Sequence, residues 1–342
     1  MGLFKPAWQG DNKEKALKAV EKETNQIKLV EIATKASFVE VRKVAISKLT
    51  IQYALADIAK NDNDFHVSIE AVKKINSQTE VADVAKNARN KDVSLEAVNS
   101  LNEQNYLVDV AKEAKEYDVC AKAVEKLVDQ KALADVAQYA KNAKVRVRTA
   151  EKLTDKTLAQ EVFAAIAKSH EILYIREEAV EKLDNQKIIG DIAKNYAEPG
   201  LRHVAIKKLN DQELLADIAK NEVMGHVRIE AVNKLFDKTL AQEMYYDIVK
   251  NDKYESTRKA AVTKLCDQQI LFDIVNNDES SDVRIAAIKT LTNRALLIEI
   301  INGNARKYSY TCENPKEDEY GRYAEVRTED LRKAAQKRLN EL

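Results

Sequence analysis

Apolar and polar positions along residues 12–301 alternate in a pattern that returns again and again. In VRKVAISKL, Val41, Ala45, Ile46 and Leu49 stand at i, i+4, i+5 and i+8, one stripe of a helix. In ALADIAKN, Leu55, Ile58 and Ala59 stand at i, i+3 and i+4 and form a second stripe. Between the stripes lie Thr, Asn, Asp or Ser, as in LNDQ and LCDQ, residues that cap the start of a following helix. The segments VRKVAISKLTIQYALADIAKN, LRHVAIKKLNDQELLADIAKN and TRKAAVTKLCDQQILFDIVNN align without gaps. The residue closing the first stripe is Leu49, Ile75, Leu101, Leu127, Leu153, Leu183, Leu209, Leu235, Leu265 and Leu291, in steps of 26 residues with two steps of 30. A degenerate first copy puts Glu23 in this register and a final half-copy puts Leu339 there. Helices this short are marginal alone, so the pattern predicts an all-α array of about eleven helix pairs, each stabilised by its neighbours.

Both 30-residue copies contain the same heptapeptide, DKTLAQE, at 155–161 and 237–243, so a block of three repeats looks duplicated. Four added residues are close to one helical turn, which lengthens a helix without rotating its apolar stripe.

Composition agrees and narrows the classes. Gly (7) and Pro (3) are scarce, which leaves no room for a β-rich domain. Lys plus Arg (56) equals Asp plus Glu (56), so no global charge draws the chain to nucleic acid or an anionic membrane. No apolar run reaches the roughly 18 residues that cross a bilayer. MGLFKPAWQGDNKEK has no apolar signal core, and Pro6 stands where myristoylation of Gly2 wants Ser or Thr. Cys120, Cys266 and Cys312 are too scattered for a disulfide framework or zinc site and read as free thiols in a reducing cytoplasm.

With these residues in view, the VRxxA–x–L helix resembles the second helix of HEAT repeats, in particular the short HEAT-like class named after phycobilisome lyases. The resemblance implies a right-handed α-α superhelix over 12–301, resumed by a capping helix at 325–342. Residues 1–11, with Leu3, Phe4 and Trp8, read as an N-terminal cap, and 302–324 as a polar, tyrosine-rich loop insertion. In the family an Asp six residues before the arginine often pairs along the stack. Asp252/Arg258 and Asp278/Arg284 match, whereas Ala36/Arg42 and Tyr196/Arg202 depart.

Repetition separates architecture from site. Arg42, Arg146, Arg176, Arg202, Arg228, Arg258, Arg284 and Arg332 recur at one position bordering the core stripe, which suits hydrogen bonding between repeats. A lysine row (Lys48, Lys74, Lys126, Lys152, Lys234 among others) and an acid row (Asp57, Asp83, Asp109, Asp135, Asp217 among others) read as solvated faces with modest pairing. The outward face of the VRxxA helices, the expected concave surface, carries an excess of basic residues broken by Glu151, Glu177, Glu178 and Glu181. Lys43, Lys73, Lys207, Lys259 and Lys289 sit there at positions that vary between copies, and with Tyr308, Tyr310 and Tyr320 of the insertion they are the candidate partner-binding residues. His66, His170, His203 and His226 form no metal or catalytic spacing, and no phosphate loop or nucleophile elbow occurs. The expectation is a cytoplasmic, monomeric, non-catalytic scaffold without cofactors, holding a protein partner on the concave helices. The alternative is nucleic-acid or polyanion binding through the same basic face.

Overall fold

The computed structural model describes residues 6–303 and 323–342, with side chains described from 329 onward in the second segment. Among the described residues there are 23 α-helices, a 3-10 turn at Ala7–Gln9, and no strand. The chain divides into two compact units, Met1–Leu183 and Asp184–Leu342. In the first, the helix Lys13–Lys22 precedes six hairpins running from Gln26–Lys35/Val39–Lys48 to Lys156–Ala167/Leu173–Glu181. In the second, five hairpins run from Gln186–Asn195/Pro199–Lys208 to Arg294–Ile301/Tyr323–Glu341. The leading helix of each hairpin is called A and the trailing one, which carries the VRxxA stripe, B. Each A packs on its own B, and within a unit successive B helices stack on one another. Each unit is thus an α-solenoid of stacked helix hairpins.

The stack follows from the stripes. The closing residues Leu49, Leu101, Leu127, Leu153, Leu183, Leu209, Leu235, Leu265 and Leu291 are all buried. Ala45, Ala71, Ala97 and Ala123 are fully buried on consecutive B helices, where a larger side chain would hold neighbouring helices apart. Helix starts are set by the capping residues: Asp211 Oδ1 accepts from the amides of Glu213 and Leu214, both at 3.1 Å. The inserted turn appears as a longer A helix, Lys238–Asn251 with 14 residues against 10 in Gln212–Asn221.

A second recurring device ties hairpin to hairpin. In every A helix but the last, Arg294–Ile301, a glutamine near the start reaches to the B–A loop of the following repeat. Gln104 Nε2 donates to the Lys126 carbonyl at 3.3 Å, and its Oε1 accepts from the Val128 amide at 2.9 Å. Gln26, Gln78, Gln186, Gln212 and Gln242 repeat this two-way contact, and Gln52, Gln130 and Gln268 accept from the equivalent amides. Ahead of the first hairpin, Glu23 supplies this kind of acceptor. Its carboxylate accepts from the Thr24 and Asn25 amides at 3.0 and 2.9 Å, and those hydrogen bonds hold its pKa below the ordinary glutamate range. Trp8 is buried against the same end. Replacing Gln104 with alanine removes both arms and is expected to cost about 1–2 kcal/mol in urea denaturation. A loss under a few tenths would mean that water replaces the amide without penalty.

Candidate functional site

The recurrent arginines lie in the first turn of the B helices, beside the loop joining A to B. Arg42 donates to its own repeat's Ala36 carbonyl at 3.0 Å and, through Nε and Nη2, to both oxygens of Asp62 in the next repeat at 2.9 and 3.0 Å. Arg258 does the same with the Asp252 carbonyl at 3.0 Å and the Asp278 carboxylate at 3.0 and 3.1 Å. Arg202 is paired with Glu222, Arg228 with Asp252, and Arg146 with Glu171. Arg176 and Arg284 donate from Nε to the Ala167 and Val275 carbonyls at the ends of their own A helices.

The acid of one motif therefore serves the arginine of the preceding repeat, while the residue six before an arginine gives it a backbone carbonyl. Ala36 and Tyr196 therefore still supply the backbone carbonyl to Arg42 and Arg202, which any residue can do. Gly225 keeps the Arg228–Asp252 crossing open, since a Cβ would run into the Thr257 side chain and the Asp252 carboxylate.

Five lysines of the row, Lys48, Lys74, Lys126, Lys152 and Lys234, do not simply face solvent but bind backbone carbonyls. Lys126 Nζ donates to the carbonyls of Val98, Asn99 and Leu101 at 3.0, 2.6 and 2.6 Å, and Lys152 to those of Val124, Glu125 and Leu127. Lys234 binds the equivalent carbonyls of the preceding B helix, and Lys48 those of the helix Lys13–Lys22. Each ammonium sits on a helix C-terminus, where unsatisfied carbonyls and the helix dipole attract a cation. Burial pushes the Lys126, Lys152 and Lys234 ammonium groups below the ordinary lysine pKa. Spacing placed these lysines correctly but could not show that their stems lie back along the stack. The acid row behaves as a partly exposed face: Lys60, Lys86, Lys112 and Lys194 reach Asp83, Asp109, Asp135 and Asp217 of the next repeat.

The candidate binding lysines lie on the B helices. Lys73, Lys207, Lys259 and Lys289 are exposed and Lys43 is half-buried. Lys207 and Lys289 make no ion pair among the described residues, Lys259 approaches Asp282 at 3.8 Å, and Lys73 approaches Glu70 at 4.0 Å. In the second unit, Lys207 and Lys289 share the B-helix face with Lys259 and with Lys333 and Lys337 of the last helix. In the first unit the corresponding face carries Glu125, Glu151, Glu177, Glu178 and Glu181, part of it neutralised by Arg148 on Glu125 and Lys182 on Glu151. Tyr308, Tyr310 and Tyr320 lie outside the described residues.

Chemistry-bearing side chains do not converge. No group of three or more His, Cys, Asp or Glu able to hold a metal occurs among the described residues. His203 contacts Glu230 across two B helices. Cys120 is buried, and desolvation pushes its thiol up to about 11, out of reach of thiolate chemistry. A groove of about 520 Å3 in the second unit contains Arg258 and Asp278, which already bind each other. No described helix is long and apolar enough to cross a membrane.

No family model matches the chain, and no curated protein matches it. Among solved structures, that of the TSC2 N-terminus is similar over 92% of this chain and 88% of that one, at 13% identity and a TM-score of 0.20. A superposition that loose carries no argument, and the helix-pair architecture rests on this chain's own contacts.

Proposed function

We propose that the chain is a non-catalytic protein-interaction scaffold of the short HEAT-like class, holding an acidic partner on its B-helix face. The observation that carries this reading is the split between two kinds of recurrent cation. Arg42, Arg202, Arg228 and Arg258, and Lys48, Lys126, Lys152 and Lys234, are consumed by neighbouring repeats, whereas Lys207 and Lys289, at positions that vary between copies, make no ion pair among the described residues. A rigid array with uncommitted charge on one helix face is suited to steering and fixing a protein of opposite sign. Nucleic acid is the weaker reading, because the glutamates of the first unit interrupt a phosphate track and no aromatic side chains are interleaved for stacking.

Reversing Lys207 and Lys259 to glutamate is expected to leave stability within about 0.5 kcal/mol, since both are exposed. It should weaken binding to a partner captured from the native cell by about tenfold and flatten the salt dependence of that binding. Unchanged affinity in the double variant would refute recognition through this face. Retention of duplex DNA or heparin by the wild type, lost in the variant, would favour the polyanion reading.

A further inference from the structure

The arginine ladder has a gap, and the gap is paired. Ser68, Ser94 and Cys120 occupy the arginine position in three consecutive repeats of the first unit. The positions that would hold their carboxylate partners in the following repeats are Ala88, Ala114 and Ala140. Arginine and acid have been lost together, as expected when either left alone would be a buried, uncompensated charge.

The acid has a second task wherever it is present. Asp62, Asp252 and Asp278 each accept the loop amide two residues on, from Asp64, Tyr254 and Ser280 at 2.8, 2.7 and 2.8 Å. In the alanine repeats the equivalent amides belong to Asn90, Glu116 and Asn142, and they have no acceptor among the described residues. Each alanine is followed by a cation: Arg89, Lys115 and Lys141, all exposed. At Ala114 the edge opens into a groove of about 760 Å3, bordered by Lys115, Lys141 and Asn142. The two carboxylates in its wall, Asp109 and Glu113, are already held by Lys86 and Lys141, so Lys115 is uncommitted. Exposed Glu116 stands beside it and opposes an anion; the next acid along this edge, Glu171, is held by Arg146. Through Lys141 and Asn142 this groove runs into another of about 450 Å3, where Lys144 lies 4.7 Å over the Tyr117 ring. Its far side presents Ile172 and Tyr174, exposed at 57% and 54%, beside Leu173 at 41%. Three successive large apolar residues at such exposure occur nowhere else among the described helices.

We propose that this A–B edge of the first unit is a docking groove for an acidic, apolar peptide segment of a partner protein. The partner's carboxylate occupies the place that Asp62, Asp252 and Asp278 fill elsewhere, taking the loop amide and the neighbouring lysine. An adjacent large apolar side chain covers Ile172 and Tyr174. The inference adds a second surface to the scaffold reading and does not depend on the B-helix lysines.

The test uses a short fluorescein-labelled peptide alternating glutamate with leucine around one tryptophan, and a control with lysine for glutamate, in anisotropy titrations against the full chain. The acidic peptide should bind and the basic one should not. Lys115→Glu with Lys141→Glu, and separately Tyr174→Ser, should weaken binding about tenfold or more. Ala114→Asp supplies the chain's own carboxylate and should compete, with a similar loss, while thermal melting remains that of a folded protein. Unchanged affinity in the Ala114→Asp and lysine variants, or no binding at all, overturns the proposal. Loss confined to Lys207→Glu with Lys259→Glu would put the peptide on the B-helix face, rejecting the groove while supporting the scaffold. Single-stranded RNA binding in place of the peptide, abolished by the edge reversals, would reject a peptide occupant.

Discussion

Replacing Arg258 with alanine is expected to cost about 3–5 kcal/mol, the range for breaking a buried ion pair on one side. The guanidinium is 5% exposed and its partner Asp278 7%. It binds both Asp278 oxygens, the Asp252 and Lys253 carbonyls, and Glu279. Without it, the Asp278 carboxylate keeps the Ser280 amide but faces no charge, and the end of the preceding A helix loses a donor. Arg258→Lys should fall between, because an ammonium retains the charge and cannot span two oxygens in a planar fork. The comparison is made by urea denaturation followed at helix wavelengths. A loss under about 1 kcal/mol in the alanine variant would mean that solvent reaches the loop and screens the pair.

Leu127 and Leu209 are the second large effect. They are 1% and 0% exposed and close a B helix in the first and second unit respectively. Truncation to alanine deletes transfer free energy and leaves a cavity that short, doubly flanked helices can collapse only in part, for a cost of about 2–5 kcal/mol each. Because each residue packs within its own unit, the two losses should add when the variants are combined. A change under half a kcal/mol at either site would show that the closing leucine is not the core residue of its repeat.

Much of the fold was legible because one rule was written many times. A single copy such as VRKVAISKL would have been an ambiguous nine-residue stripe. Ten closing residues in a 26/30 register left only a helix pair that cannot bury its apolar face alone. The long A helix at Lys238–Asn251 follows from the same logic, since one extra turn is what a helix tolerates.

The site was less legible, for physical reasons that differ by residue. The arginine and its acid lie 20 or more positions apart and belong to different repeats, so the Asp252/Arg258 motif named the residues that pair along the stack but not which repeat's acid each arginine takes. The lysines before each closing residue looked solvated because spacing carries no information about which way a four-carbon stem folds. The glutamine ladder was readable in principle. Gln26, Gln52, Gln78, Gln104 and Gln130 recur at 26-residue steps in the same alignment, but as neighbours of capping residues they looked like part of a turn. The paired loss at Ser94 and Ala114 is also in the sequence, but it gains meaning only once the arginine's true partner is seen.

The central claim is that each helix pair is held by its neighbours through a stacked core and repeating ladders. Amide hydrogen exchange resolved along the chain tests it most directly. The account predicts slow exchange in every A and B helix from Gln26 to Ile301, with fast loop amides recurring at the 26- and 30-residue steps. Rapid exchange through several consecutive hairpins, or protection that ignores that period, would contradict it.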